Sequence, residues 1–167
     1  GISETDELEH MVYMTQGKIH PDWTGEPEIG MAEKMVVATI SRASGQSKNK
    51  VKAVLSESGD VGLAAEKSLS DKRQVMFGEK PLSVSDVYNV FDEIANESGK
   101  GSSSRKIDRL VKVMMSSSPL GARYIARTVV GTLRLGVGDM TILDALSLGF
   151  TGSSENRGKL ERAYNLT

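Results

Sequence analysis

The chain has 167 residues, 38% apolar and 26% charged, with no cysteine and only two histidines, His10 and His20. That composition suits one globular domain with a core of its own, built mostly from Leu, Ile, Val, Met and Ala because aromatics are few. It excludes disulfides, thiolate metal centres and a histidine-built metal site.

No apolar run approaches the ~20 residues that span a bilayer. The acidic first residues show no charged-then-apolar signal pattern. The expectation is an intracellular protein (cytoplasm or nucleoid, or nucleus) without a membrane partner. The net charge of -1 hides a segregation. Between Ser98 and Leu135 there are eight cations and a single acid, Asp108, giving +7. Residues 136–167 sum to -1, which leaves -7 for the first 97. A basic block beside an acidic one is the footprint of a phosphate-binding surface, or else a solvated helix face.

In chain order, the pattern predicts successive short helices. Ser3 opens the first, with Leu8, Met11 and Val12 on one face, and Gly17 ends it. The two-proline loop HPDWTGEPEIG, His20 to Gly30, follows. Met31, Met35, Val36 and Ile40 line the next helix, stopped by Gly45. Ser47 caps a third, carrying Val51, Val54 and Leu55 and stopped by Gly59. Asp60 caps a short fourth that runs through Leu69. A polar connection, Ser70–Pro81, then divides the chain into expected sub-bundles at about 1–70 and 81–167.

Ser83 with Asp86 resembles a capping box for a helix bearing Val87, Tyr88, Phe91 and Ile94, stopped by Gly99. The GKGSSS stretch, Gly99–Ser104, precedes a helix with Ile107, Leu110, Val111 and Met114. Ser118 caps and Pro119 opens the next, with Tyr124, Ile125, Thr128 and Val129 inward and Gly131 at its end. The loop TLRLGVG leads to Asp139, read as the cap of a helix with Ile142, Leu143 and Leu146. Gly149 separates a last amphipathic piece around Leu160 and Tyr164. No strand pair is evident, so the fold class is all-α, a compact multi-helix domain.

An internal repeat stands out. IGMAEKMVVATI, Ile29–Ile40, lies over LGVGDMTILDAL, Leu135–Leu146. Each has an apolar residue and Gly, then a small residue, an acid and a helical apolar stripe. Shared ancestry of two halves and convergence of two helix starts both account for it. Either way, each presents glycine-rich backbone at a helix N-terminus.

No catalytic constellation emerges. Lys106-Ile107-Asp108 begins like the Lys-x-Asp-Gly of an adenylated lysine, but Arg109 stands where Gly is required, inside a helical stripe. GKGSSS lacks P-loop spacing and follows no strand. Met114-Met115 reads as core filling. Binding features are richer. Unpaired N–H groups at a helix start attract phosphate oxygens, and Gly136 and Gly138 admit close approach of a nucleic-acid backbone. Arg134 lies beside them. Arg123 and Arg127 share a helix face and either meet phosphate or form salt bridges to a neighbouring helix. Arg105, Lys106 and Arg109 cluster near the Ser-rich loop, where hydroxyls suit contacts that position without reading sequence. Gly131, Gly136 and Gly138 serve turns and caps, or that approach.

Three segments then resemble a known family: RKIDRLVKVMMSSSPLGARYIARTVVGTLRLGVGDMTILDAL (Arg105–Leu146), GDVGLAAEKSLSDKR (Gly59–Arg73) and PEIGMAEKMVVATISRASG (Pro27–Gly45). Together they are similar to the DNA-binding domain of archaeal and eukaryotic ATP-dependent DNA ligases, nearer the archaeal members, over nearly the whole chain. The resemblance implies a non-catalytic helical domain of two pseudo-symmetric halves, which grips the minor groove of duplex DNA around a nick without regard to sequence. It implies minor-groove contacts at Gly131, Thr132, Arg134, Gly136 and Gly138, with the other half's equivalent at Gly30, Ala32 and Glu33. Backbone contacts would come from Ser102, Ser103, Ser104, Arg105 and Lys106, and also from Arg123 and Arg127.

Both ends look trimmed beside that family. The resemblance implies no cofactor in this fragment. ATP and Mg belong to the parent enzyme, whose adenylation and OB domains would be partners in the same chain in sealing nicks during replication, repair and recombination. The alternative class is a protein-interaction module. The acidic first half and the Trp23 loop would then dock a sliding clamp or repair factor.

Overall fold

Local signals set most helix ends. The computed structural model describes residues 4–21, 24–70, 82–133, 135 and 137–164. Among these residues every regular element is helical, as the periodicity predicts. Nine α-helices follow one another: α1 (Glu4–Thr15), α2 (Glu33–Ser44), α3 (Lys48–Ser58), α4 (Val61–Ser70), α5 (Val84–Asn96), α6 (Ser102–Ser116), α7 (Pro119–Val129), α8 (Asp139–Thr151) and α9 (Arg157–Tyr164). A 3-10 turn, Ser154–Asn156, precedes α9. None is long and apolar enough to cross a membrane.

The capping chemistry is visible atom by atom. Ser47 Oγ accepts from the Lys50 N–H, and Ser118 Oγ from the Gly121 N–H. Ser83 and Asp86 form a reciprocal capping box at the start of α5. Asp60 Oδ1 accepts from the Leu63 N–H at 2.7 Å and opens α4. Each such bond satisfies a donor that the first helical turn leaves unpaired. Gly45 and Gly59 end α2 and α3 in the left-handed conformation, at φ 74° and 64°, which only glycine adopts without steric cost.

Four local readings change. Asp139 is the first residue of α8, and Gly138, extended at φ -89° and ψ 166°, is its cap. α8 runs through Gly149 and stops at Gly152, because a single glycine inside an apolar stripe costs only about 1 kcal/mol. Tyr124 is exposed, as it lies on the far side of α7 from the buried Ala122, Ile125, Ala126 and Val129. Met11 is exposed too, and α1 instead packs Met14 against the core. The Ser3 cap and the linker 71–81 fall outside the described residues.

The chain forms two compact units, Gly1–Leu133 and Arg134–Thr167. The expected sub-bundles divide elsewhere, at the Ser70–Pro81 linker. In the first unit, helices from either side of that linker pack on one another, α4 on α7 and α2 on α6. Phe91, Ile40, Ile94, Leu110, Met114 and Val36 fill its core. α4 packs on α7 with Gly62 set against the Arg123 main chain and the Arg127 side chain, and both helices bury small residues, Ala64 and Ala65 on α4 and Ala122 and Ala126 on α7. Small side chains at a crossing let two backbones come near.

α1 docks on α5 through aromatic stacking. His10 lies parallel to Tyr88 with ring centroids 3.6 Å apart, and the Tyr88 hydroxyl donates to the Ile19 carbonyl at 2.7 Å. Burial, then the nearby Asp92 and Glu9 charges, push the Tyr88 hydroxyl above its ordinary pKa, so it stays a donor. His20 Nε2 meets Asp92 Oδ1 at 2.9 Å. These bonds fix the loop that follows α1.

Candidate nucleic-acid interface

The first predicted contact segment, Ile29 to Ala32, leads into α2 with Gly30 left-handed at φ 42° and Ala32 extended. Ile29 and Met31 are buried while Gly30 and Ala32 face outward. The two smallest residues of the segment therefore face solvent, and the positive φ at Gly30 is one that glycine adopts without steric cost. Ala32 caps α2 with no side-chain bond, so the cap position supplies no side-chain acceptor for the donors of the first turn, although the exposed Glu33 follows it.

Gly131 ends α7 at φ 71°. Its N–H bonds the Thr128 carbonyl and the Thr132 N–H bonds the Arg127 carbonyl. The Met31 N–H donates to the Val129 carbonyl at 2.9 Å. That bond brings Gly30–Ala32 beside Gly131–Thr132, a hundred residues away in sequence. Gly30 and Gly131 line one cleft of about 560 Å³ with Lys18, His20, Glu26 and Glu28.

In the second unit the aligned start of α8 repeats the local geometry of α2. Gly138 stands where Ala32 stands, exposed, extended and without a side-chain cap. Asp139 stands where Glu33 stands, at the first helical position. Arg134 and Gly136 fall outside the described residues.

Ser102, Ser103 and Ser104 form the first turn of α6 behind Gly101, which is left-handed at φ 82°. Ser103 and Ser104 are exposed. Arg105 folds back over the preceding loop. It donates to Glu97 at 2.7 Å and to the Lys100 and Ser98 carbonyls, both at 3.0 Å. Arg109 bonds both Glu93 and Glu97. Asp108 pairs with Arg42 of α2 at 2.6 Å, so the Lys-x-Asp look-alike is an ordinary helix-surface sequence. Lys106 has no ion pair among the described residues.

Arg123 and Arg127 follow the salt-bridge alternative. Arg123 pairs with Glu66 at 3.3 Å, and Arg127 Nε donates to both oxygens of Asp60 at 3.1 and 3.2 Å. Much of the basic block is therefore neutralised by acids of the acidic half. Charge summed along the chain could not show this, because the partners lie up to 67 residues apart.

Two carboxylates are tuned by these pairs. Hydrogen bonding from Arg105, reinforced by Arg109, holds Glu97 below the usual carboxylate range against some desolvation. At Asp60 burial pushes upward, but the Leu63 N–H and the Arg127 guanidinium outweigh it, and the net shift is downward. A carboxyl group depressed in the folded state stabilises it above the unfolded pKa and loses that contribution as pH falls through the folded value. The melting temperature should therefore hold from pH 8 to about pH 5 as far as these groups are concerned, and fall towards about pH 3. Glu97→Gln should lower the neutral-pH melting temperature and flatten that acid limb in calorimetric scans. An acid limb identical to the parent's would contradict the assignment.

By fold and surface this is an all-α domain whose glycine-bearing turns expose main chain beside uncapped helix starts. Residues 2–147 match the family model described as DNA ligase N terminus. The chain is 42% identical over 164 residues to DNA ligase 2 of Thermofilum pendens, covering 94% of this chain and 27% of that protein. It is 42% identical to a DNA ligase of Pyrobaculum islandicum (96% and 28%) and 38% identical to one of Cenarchaeum symbiosum (96% and 27%). The chain belongs to the DNA ligase N-terminal domain family, and it spans little more than a quarter of the length of the curated relatives it matches.

Proposed function

We propose that this domain is the non-catalytic part of an ATP-dependent DNA ligase that holds duplex DNA around a nick, without sequence preference, while other domains of the parent chain seal it. The observation that carries this reading is the Met31 N–H to Val129 carbonyl bond, which sets two glycine-bearing turns side by side with their smallest residues outward. Gly30, Ala32, Gly131 and Thr132 form one contact, and the aligned start of α8 at Gly138, with Arg134 and Gly136, forms its pseudo-symmetric partner. Ser102, Ser103, Ser104 and Lys106 meet the phosphate backbone. Arg105, Arg123 and Arg127 hold helices in place through their carboxylate partners rather than touching DNA. ATP and Mg act in the parent enzyme's other domains.

The test uses fluorescence anisotropy on nicked duplex. If about 4–6 phosphates are neutralised, log K should fall against log[salt] with a slope of about -4 to -5. Ala32→Asp is the sharpest variant. Aspartate is a better N-cap than alanine, so α2 should gain about 1 kcal/mol, while the added charge meets the duplex and weakens binding at least about tenfold. Arg134→Glu with Gly138→Asp should act likewise. A folded chain that fails to bind duplex at low salt would sink the proposal.

A further inference from the structure

A third glycine turn supports the two that carry the proposed DNA contact. Gly30 and Gly131 are held side by side by the Met31 to Val129 bond. The third turn follows α1. Gly17 is left-handed at φ 76°, and a Cβ there would lie 3.3 Å from the Leu133 carbonyl oxygen. The end of α1 therefore abuts the main chain two residues beyond Gly131. Gln16 to Pro21 line the same cleft as Gly30 and Gly131.

The groups that fix this turn come from outside the cleft. α1 packs on α5, where His10 stacks on Tyr88. The Tyr88 hydroxyl donates to the Ile19 carbonyl at 2.7 Å, and Asp92 meets His20 Nε2 at 2.9 Å. The His20 ring also stands edge-on to Tyr88, with centroids 6.4 Å apart. Two successive residues of the turn are thus tied to two residues of α5 that share one helix face. Neither Tyr88 nor Asp92 lines the cleft. Tyr88 is half-buried, whereas the fully buried Phe91 and Ile94 seat α5 in the core.

Resting on the DNA-binding reading above, we propose that Tyr88 and Asp92 are positioning residues for the glycine-turn contact. They touch no DNA. They hold Ile19 and His20, which keep Gly17 against Leu133 and so fix the Gly131 turn beside Gly30. Main chain that is already in place binds more tightly than a loop that must be ordered on contact, because that ordering lowers affinity.

The experiment measures affinity of the 167-residue chain for nicked duplex, well below the melting temperature, with Tyr88→Phe beside the parent. Phenylalanine keeps the ring on His10 and removes one donated bond. The expected result is affinity lower by about three- to tenfold, in a chain whose melting temperature falls by less than about 5 °C. A bond that serves stability alone would move the melting temperature and leave the affinity of the folded chain unchanged. Asp92→Ala should also lower affinity, although deleting an acid would by charge alone raise it. In Tyr88→Phe/Ala32→Asp the loss should be smaller than the product of the two single losses, because both act on one contact. Unchanged affinity in folded Tyr88→Phe, unchanged or higher affinity in Asp92→Ala, or losses that multiply in full overturn this inference and leave the proposed function intact. Failure of the parent to bind duplex overturns both.

Discussion

Replacing Gly62 with alanine should destabilise the first unit by about 2 kcal/mol, although in an ordinary helix that change stabilises by about 1 kcal/mol. A Cβ at Gly62 would lie 2.7 Å from the Arg123 carbonyl oxygen, 2.8 Å from Arg127 Cγ and 2.9 Å from Arg127 Nε. One of these atoms is main chain, so no rotamer change relieves the clash, and α4 must move off α7. That movement also pulls Asp60 from Arg127 and Glu66 from Arg123, the two pairs that clamp the same crossing.

For a chain of this size the loss corresponds to about 4–8 °C in melting temperature, and Gly62→Val should go further. Gly149 is the control. It also lies inside a helix, but nothing stands within 4 Å of its would-be Cβ. Gly149→Ala should add up to about 1 kcal/mol to α8, seen as raised helicity. Equal effects at the two positions would refute the close-crossing account.

Asp60→Ala is expected to cost about 2–3 kcal/mol in urea unfolding, because the side chain has two roles. It caps α4 by accepting from the Leu63 N–H, and it faces the half-buried Arg127 guanidinium from the next helix. Asp60→Asn keeps the cap oxygen and loses only the charge, so its cost should be about 1 kcal/mol. Asp60→Ala/Arg127→Ala should cost less than the sum of the single changes, since it leaves no unmatched charge behind. Arg127→Gln should shift the DNA salt slope by less than about 1, whereas an arginine seated on a phosphate would shift it by that amount. The same residue thus tests the packing and the interface.

Much of the helix inventory was legible in the residues. The caps at Ser47, Asp60, Ser83 and Ser118 and the stops at Gly45 and Gly59 all lie within three or four residues of the groups they satisfy, so their bonds can be read from spacing. The readings at Asp139 and Gly149 changed because neighbouring residues offered nearly equal alternatives. A cap moves by one residue when glycine already has the extended backbone, and a helical glycine is tolerated when the stripe continues. Tyr124 was assigned inward by its apolar character, and only the rotation of α7 against α4 turned it outward.

The interface was legible in part. Glycine turns and the repeated helix start were visible as patterns, because their geometry is a property of a few consecutive residues. The role of the arginines was not. Arg105, Arg109, Arg123 and Arg127 look like a phosphate-binding block until their carboxylate partners arrive from α4 and α5.

The sequence by itself determined the helical class, most helix ends and the family, because these depend on short-range hydrogen bonds and on ordered motifs. Only the tertiary structure decided which charges are already satisfied, why Gly62 must remain small, and that Gly30 sits beside Gly131. Those facts depend on contacts between residues tens of positions apart, and spacing along a chain does not encode a distance across a core.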